Sequence, residues 1–169
     1  MKRVLWVILL SWVGPVLADC VPGTQTTPNA AFSLHEEQGY VIDTRTNLMW
    51  KLCAEGQTFN ARLFRCEGQA QLYFYPGDRR RFFEFAGFNN WRVPTSKELR
   101  TIVEKTCTDP AVNVRVFPDT PAYYFWSKTT WMKPSSSRGW AMDFKQGLPD
   151  SLFKSQGAHV RLVREVNAQ

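Results

Sequence analysis

Apolar and polar positions alternate along this chain in short bursts with the two-residue period of β-strands. Tyr40-Val41-Ile42-Asp43 and Leu48-Met49-Trp50 are two such bursts, and the polar link Thr44-Arg45-Thr46-Asn47 predicts a hairpin between them. Leu72-Tyr73-Phe74-Tyr75 is β-like and stops at Pro76-Gly77. The last third adds Tyr123 to Ser127, then Gly139 to Phe144 with Trp140, Met142 and Phe144 on one face, then His159 to Arg164. Turns rich in Ser, Gly and Lys separate these strands.

One stretch breaks the rhythm and organises the rest. In Gly87 to Leu99, Trp91 and Val93 alternate with Arg92 as a half-buried strand requires. Pro94 then removes an amide donor and biases Val93 toward extended backbone. Thr95 and Glu98 have the spacing of a capping box, and Leu99, Ile102 and Val103 fall on one face of the helix that follows. A second, shorter helix is predicted over Arg79 to Phe85, capped by Asp78, with Phe82, Phe85 and Ala86 on its apolar side. Its three arginines oppose the helix dipole. The loop from Thr108 to Pro121 carries three prolines and reads as irregular. The pattern is that of an α+β domain with mixed or antiparallel sheets and one or two packed helices.

The beginning of the chain has a different character. Met1-Lys2-Arg3 precedes the apolar run Val4 to Val13, which is short for a membrane span, and Gly14-Pro15 and Val16-Leu17-Ala18 follow. This predicts a signal peptide over 1–18, cleaved after Ala18, an extended arm over 19–34 rich in Pro, Thr, Gly and Asn, and a folded domain over 35–166. Cys20 suggests a lipid anchor, but Asp19 stands where a lipobox has a small residue. No second apolar stretch follows, so no integral membrane segment is expected after cleavage. The expected location is the periplasm, the cell surface or the medium.

Removing Lys2 and Arg3 leaves 19 basic against 15 acidic residues, a net charge of +4. That suits weak attraction to anionic polysaccharide. No nucleic-acid motif is present, and the secretory route argues against such a partner. Cys20, Cys53, Cys66 and Cys107 all survive cleavage, and an even count in an exported chain predicts two disulfides. Three connectivities are open; Cys53 and Cys66 bracket a polar loop and form the local pair, which joins Cys20 to Cys107. A zinc site lacks C-x-x-C spacing and a partner for His35 or His159.

Candidate chemistry is sparse. Ser127 and Lys128 are adjacent and point to opposite faces of a strand, Glu36-Glu37 read as solvated surface, and His159 reads as structural. Oxygen ligands for calcium exist in Asn89, Asn90, Asp119 and Asp143, but the Asn pair reads more simply as a turn. No metal or cofactor is expected. Two surface patches stand out as ligand-binding candidates. One is Arg79, Arg80 and Arg81 with Arg62 and Arg65, flanked by Tyr73, Tyr75 and Phe82. The other is the loop Trp131 to Arg138, with Trp131, Lys133 and Arg138. Arginine forks match sulfate and carboxylate, and aromatic rings stack on sugars. Trp50, Trp91, Trp126 and Trp140 are expected in the core.

Several of these segments also resemble a known family. Asp43-Thr44-Arg45-Thr46-Asn47-Leu48-Met49-Trp50-Lys51-Leu52-Cys53-Ala54-Glu55-Gly56-Gln57 resembles its D-x-x-T-G-L-M-W-x-x-C-x-E-G-Q opening, and Trp91 to Leu99 resembles its W-R-L-P-T-x-K-E-L. Pro110 to Asn113, Phe117 to Pro121, Phe125-Trp126-Ser127, Trp140 to Phe144 and Val160 to Arg164 follow in the family's order. The family is the C-terminal domain of the Legionella collagen-like adhesin, a bacterial domain of unknown function. The resemblance implies a C-type-lectin-like fold with its termini close together, distantly related to the sulfatase-modifying factors. The chain departs from it at Asn47, where a turn Gly is usual, and over Gly68 to Ala86, where relatives carry a longer helix. The expected role is a non-catalytic binding module, recognising an anionic glycan or an envelope or host surface protein in adhesion. The alternative is an accessory subunit of an envelope or secretion assembly. An oxidase akin to the sulfatase-modifying factors would need reactive thiols, which two disulfides consume.

Overall fold

The computed structural model describes residues 18–23, 25–77 and 83–167. Residues 1–17 of the predicted signal peptide therefore lie outside the described residues, as do Asp78, Arg79, Arg80, Arg81 and Phe82. In chain order the strands are β1 (Asp19–Cys20), β2 (Phe32–His35), β3 (Tyr40–Asp43), β4 (Leu48–Lys51), β5 (Thr58–Asn60), β6 (Arg65–Glu67), β7 (Phe83–Phe85) and β8 (Phe88–Trp91). The helix α1 (Ser96–Thr101) comes next, then β9 (Cys107–Thr108), β10 (Tyr124–Thr130), β11 (Arg138–Asp143), β12 (Leu148–Phe153) and β13 (Val163–Glu165).

Two antiparallel sheets carry the domain. The first has the order β13-β4-β3-β2, so the predicted hairpin is flanked by the last strand and by the end of the arm. The second is β10-β11-β12. Alternation sends neighbouring side chains to opposite faces, and two apolar clusters result. Val41, Trp50, Phe125, Met142, Phe144 and Val163 share one of them with Leu99 and Ile102. Met49, Trp91, Val93, Trp126, Ala141 and Leu162 form the other.

The central junction folds as its sequence predicts. Trp91 and Val93 are buried, Arg92 bridges to Val163, and Thr95 and Glu98 close a capping box at the start of α1. Arg92 grips the same Glu98 through two nitrogens, at 2.9 and 2.7 Å, so cap and strand are locked together. The helix stops at Thr101, and Ile102 and Val103 complete its apolar face as buried loop residues.

The second predicted helix is not formed over its described part. Phe83–Phe85 is a strand that pairs antiparallel with β8. Ala86 and Gly87 both have positive φ, 52° and 77°, the conformation of a two-residue hairpin turn, and this reverses the chain where a helix would continue. Trp91 rewards the hairpin: its indole N–H donates to the Phe85 carbonyl at 2.9 Å, and the two rings meet edge to face. Leu72 to Tyr75 makes only an isolated bridge, Tyr73 to Ala158. The strand β12 went unpredicted because Pro149 and Asp150 interrupt its alternation; it is an edge strand, where both residues are tolerated.

The arm is held at more points than its cysteine. β1 pairs with β9, and Cys20 and Cys107 are directly opposite and bonded. The backbone and hydroxyl groups of Thr26 and Thr27 donate to the carboxylate of Glu104. Arg45 forks onto the buried Asp43 and reaches the carbonyls of Thr26 and Thr101. Cys53 and Cys66 form the second disulfide, enclosing the hairpin β5–β6.

Candidate functional site

β10 and β11 extend beyond the apolar core, and their connection, residues 131–137, forms a knuckle at the end of the three-stranded sheet. The ladder slips between Trp126 and Thr130, a bulge that twists the hairpin end. Trp131 lies against Trp140, with ring centroids 4.4 Å apart. Met132 has φ 53° and is 89% exposed at the tip, and Lys133 beside it is exposed. Short internal bonds fold the connection: Lys133 N–H donates to the Trp131 carbonyl and Ser136 N–H to the Lys133 carbonyl.

Neighbouring strands brace this knuckle. Lys154 donates to the Pro134 carbonyl at 2.9 Å. Arg138 lies over the Phe153 ring at 4.4 Å, donates through Nε to the Ser151 hydroxyl at 3.0 Å, and through its outer nitrogen to the Ser151 carbonyl. On the opposite face Tyr75 donates to the carbonyls of Lys128 and Thr129, and its ring sits where a Cβ on Gly139 would be. Gly139 is thus required by close approach, since a Cβ would lie 2.3 Å from that ring. The result is a braced aromatic shelf with one exposed lysine, chemically suited to a sugar face or a planar group bearing negative charge.

Trp131, Lys133 and Arg138 are therefore brought together, in unequal roles. Lys133 makes no ion pair among the described residues, whereas Arg138 is tied down by Ser151 and Phe153 and acts as a brace. Trp140 is half-buried against Trp131, not in the core, because β11 turns its buried neighbours Gly139 and Ala141 inward and Trp140 to the other face. Trp50, Trp91 and Trp126 are core residues as expected. The other predicted patch is not assembled from its described members: Arg65 pairs with Asp119 at 3.5 Å beside the Cys53–Cys66 bridge, while Tyr75 belongs to the knuckle. Arg79, Arg80 and Arg81 lie outside the described residues.

The remaining polar candidates are engaged separately. Asn90 accepts from Arg164, Asp119 from the Cys66 amide and Asp143 from the Lys145 amide. No group of three or more His, Cys, Asp or Glu among the described residues is set to hold a metal. The buried Ser127 hydroxyl contacts the Trp140 carbonyl and the Ser96 hydroxyl. His159 is buried between Tyr123 and Phe125, with Nδ1 3.0 Å from the Gln71 carbonyl; burial lowers its pKa and Arg161 nearby lowers it further. All four cysteines are bonded in the two predicted pairs, so Cys20 offers no thiol for a lipid.

Sequence reasoning did not anticipate the buried charges, of which Arg161 and Glu104 are two. Arg161, 1% exposed, donates to the carbonyls of Lys51 and Leu52 and to the Thr120 hydroxyl, and faces the Phe117 ring at 4.9 Å. Glu104 is fully buried under the arm. The Arg161 position alternates with apolar neighbours in Val160-Arg161-Leu162, a signal that its side chain faces inward or outward alone, and only the fold decides which.

Taken together these features define a small β-rich domain stapled by two disulfides, which is consistent with an extracellular or periplasmic protein. Among the described residues no helix is long and apolar enough to cross a membrane. The chain belongs to the Lcl C-terminal domain family, an adhesin-associated domain whose family model matches residues 39–164. No curated protein matches the chain.

Proposed function

We propose that this chain is an exported, non-catalytic binding module of the cell surface or periplasm, and that its knuckle recognises an anionic glycan in adhesion. The observation that carries the reading is the braced Trp131–Trp140 shelf with Lys133 exposed beside it. A closely packed, tilted ring pair offers an apolar face to a sugar, and a nearby ammonium complements sulfate or carboxylate. The net positive charge and the adhesin-associated family point the same way. Placing the first hairpin and the last strand in one sheet is consistent with the C-type-lectin-like arrangement, which belongs to this reading. The Arg79–Arg81 run is its second contact.

A sulfated-glycan array and a heparin column eluted across a salt series test this. The wild-type chain is expected to bind and to elute at raised salt, with Lys133→Ala and a triple Ala variant at 79–81 eluting earlier. Elution at low salt, unchanged in both variants, removes the glycan reading. A protein partner is the second reading, favoured by the exposure of Phe74 (73%) and Leu72 on the segment beside the β12–β13 turn. Co-purification of one stoichiometric partner from envelope extracts, without glycan affinity, selects it.

A further inference from the structure

A second concavity lies away from the knuckle, where the 3-10 turn Glu36–Gln38 meets the disulfide hairpin and β7. It is a cleft of about 320 Å³, within the range of small-ligand sites. Phe59 and Phe85 form its walls. Gly39 lies between them with φ 73°, and a Cβ there would crowd the Phe85 ring at 3.2 Å and Phe59 at 3.5 Å. The two rings thus pack against residue 39 as closely as they do because it has no side chain. The Cys53–Cys66 bridge fixes the hairpin that carries Phe59.

The charged groups at this cleft that lack a counter-ion among the described residues are acidic. Glu36 and Glu37 are exposed at the mouth and form no ion pair among the described residues. Lys51, the lining cation, is already neutralised by Glu55 at 2.7 Å, and its ammonium rests 4.7 Å from the Phe85 ring. Gln57 lines the cleft, and its side-chain carbonyl oxygen is buried behind the cleft surface without a hydrogen-bond partner, so turning it toward an incoming donor breaks no existing bond. Acceptors spread around an aromatic slot call for a donor with positive charge on an apolar stem. An ammonium sends its N–H groups in three directions, whereas the planar guanidinium fork favours two oxygens of a single carboxylate.

We infer that this cleft binds a primary ammonium on an aliphatic stem, the chemistry shared by a lysine side chain of a partner protein and by a free diamine. The site is independent of the knuckle and carries the opposite sign. Its test is titration of the isotope-labelled full chain with cadaverine, and separately with a short peptide carrying one lysine, following the backbone amides of Gly39, Thr58 and Ala61. Either probe shifting these amides supports the site, and the tighter one identifies the source. Glu36→Gln with Glu37→Gln removes charges that touch nothing else, so the fold is kept, and affinity should fall about five- to tenfold, as expected for two partly solvated ion pairs. Gln57→Glu should bind more tightly. Three results overturn the inference: no shift at these amides with either probe, equal binding of uncharged pentanol, or undiminished affinity in the double variant.

Discussion

Replacing Glu104 by Gln tests how the arm is fastened. The carboxylate is fully buried and accepts at 3.0 Å from both the amide and the hydroxyl of Thr26, and at 2.7 Å from both those of Thr27. Thr106 adds its amide at 3.2 Å and its hydroxyl at 2.7 Å. Burial alone would raise the pKa of this acid, but the donors outweigh it and hold it at about 2, against an ordinary 4.5. Each unit of depression is worth about 1.4 kcal/mol, and since Thr26 is exposed the net contribution is on the order of 2–3 kcal/mol. The depressed folded value places this stability above pH 4.5 and removes it as pH falls toward 2. Gln keeps one oxygen and turns an NH₂ toward groups that are themselves donors. Urea unfolding at pH 7 should therefore show a loss of about 2–3 kcal/mol, and amide exchange at Thr26 and Thr27 should rise most, because the Cys20–Cys107 bridge still tethers the arm. In the variant the acid-side decline between pH 4.5 and 2 should flatten. An unchanged urea midpoint, or a variant that keeps the full wild-type decline, refutes the reasoning.

Four more outcomes follow from buried or bonded groups. Arg161→Lys keeps a charge but not the fork that reaches Lys51, Leu52 and Thr120, and should cost about 3 kcal/mol or more in chemical denaturation. Thr95→Ala removes one half of the capping box and should cost about 1 kcal/mol, read as a shift in urea midpoint. Burial lowers the pKa of His159 below its ordinary 6.5, so stability should decline as pH falls below that value, and His159→Gln should remove that part of the pH profile. The loops closed by the bridges span sequence separations of 87 and 13, so Cys20→Ser with Cys107→Ser should cost about 4.5 kcal/mol and Cys53→Ser with Cys66→Ser about 3 kcal/mol on the chain-entropy relation.

What the sequence revealed was whatever depends on near neighbours. The hairpin over Tyr40 to Trp50, the capping box at Thr95 and Glu98, and the strands around Trp126 and Met142 all follow from local periodicity and turn chemistry. Over the described part of the helix expected at Arg79 to Phe85, the strand Phe83–Phe85 stands instead, because apolar spacing in so short a run fits both periods and the Ala86-Gly87 turn decides for a hairpin. The Glu104 clamp joins residues 77 positions apart, and no local pattern announces it. The knuckle is half legible: Trp131, Lys133 and Arg138 are visible as a loop, but the pairing of Trp131 with Trp140 depends on which face of β11 carries Trp140.

The most direct test of the knuckle as a binding surface is a titration of the isotope-labelled chain with a heparin-derived oligosaccharide, followed by amide and indole resonances. The account predicts that the Trp131 and Trp140 indoles and the amides of Met132 and Lys133 shift first and saturate together, and that Lys133→Ala weakens this without unfolding the domain. Saturable shifts confined to other surfaces, with residues 131–140 unmoved, would contradict it.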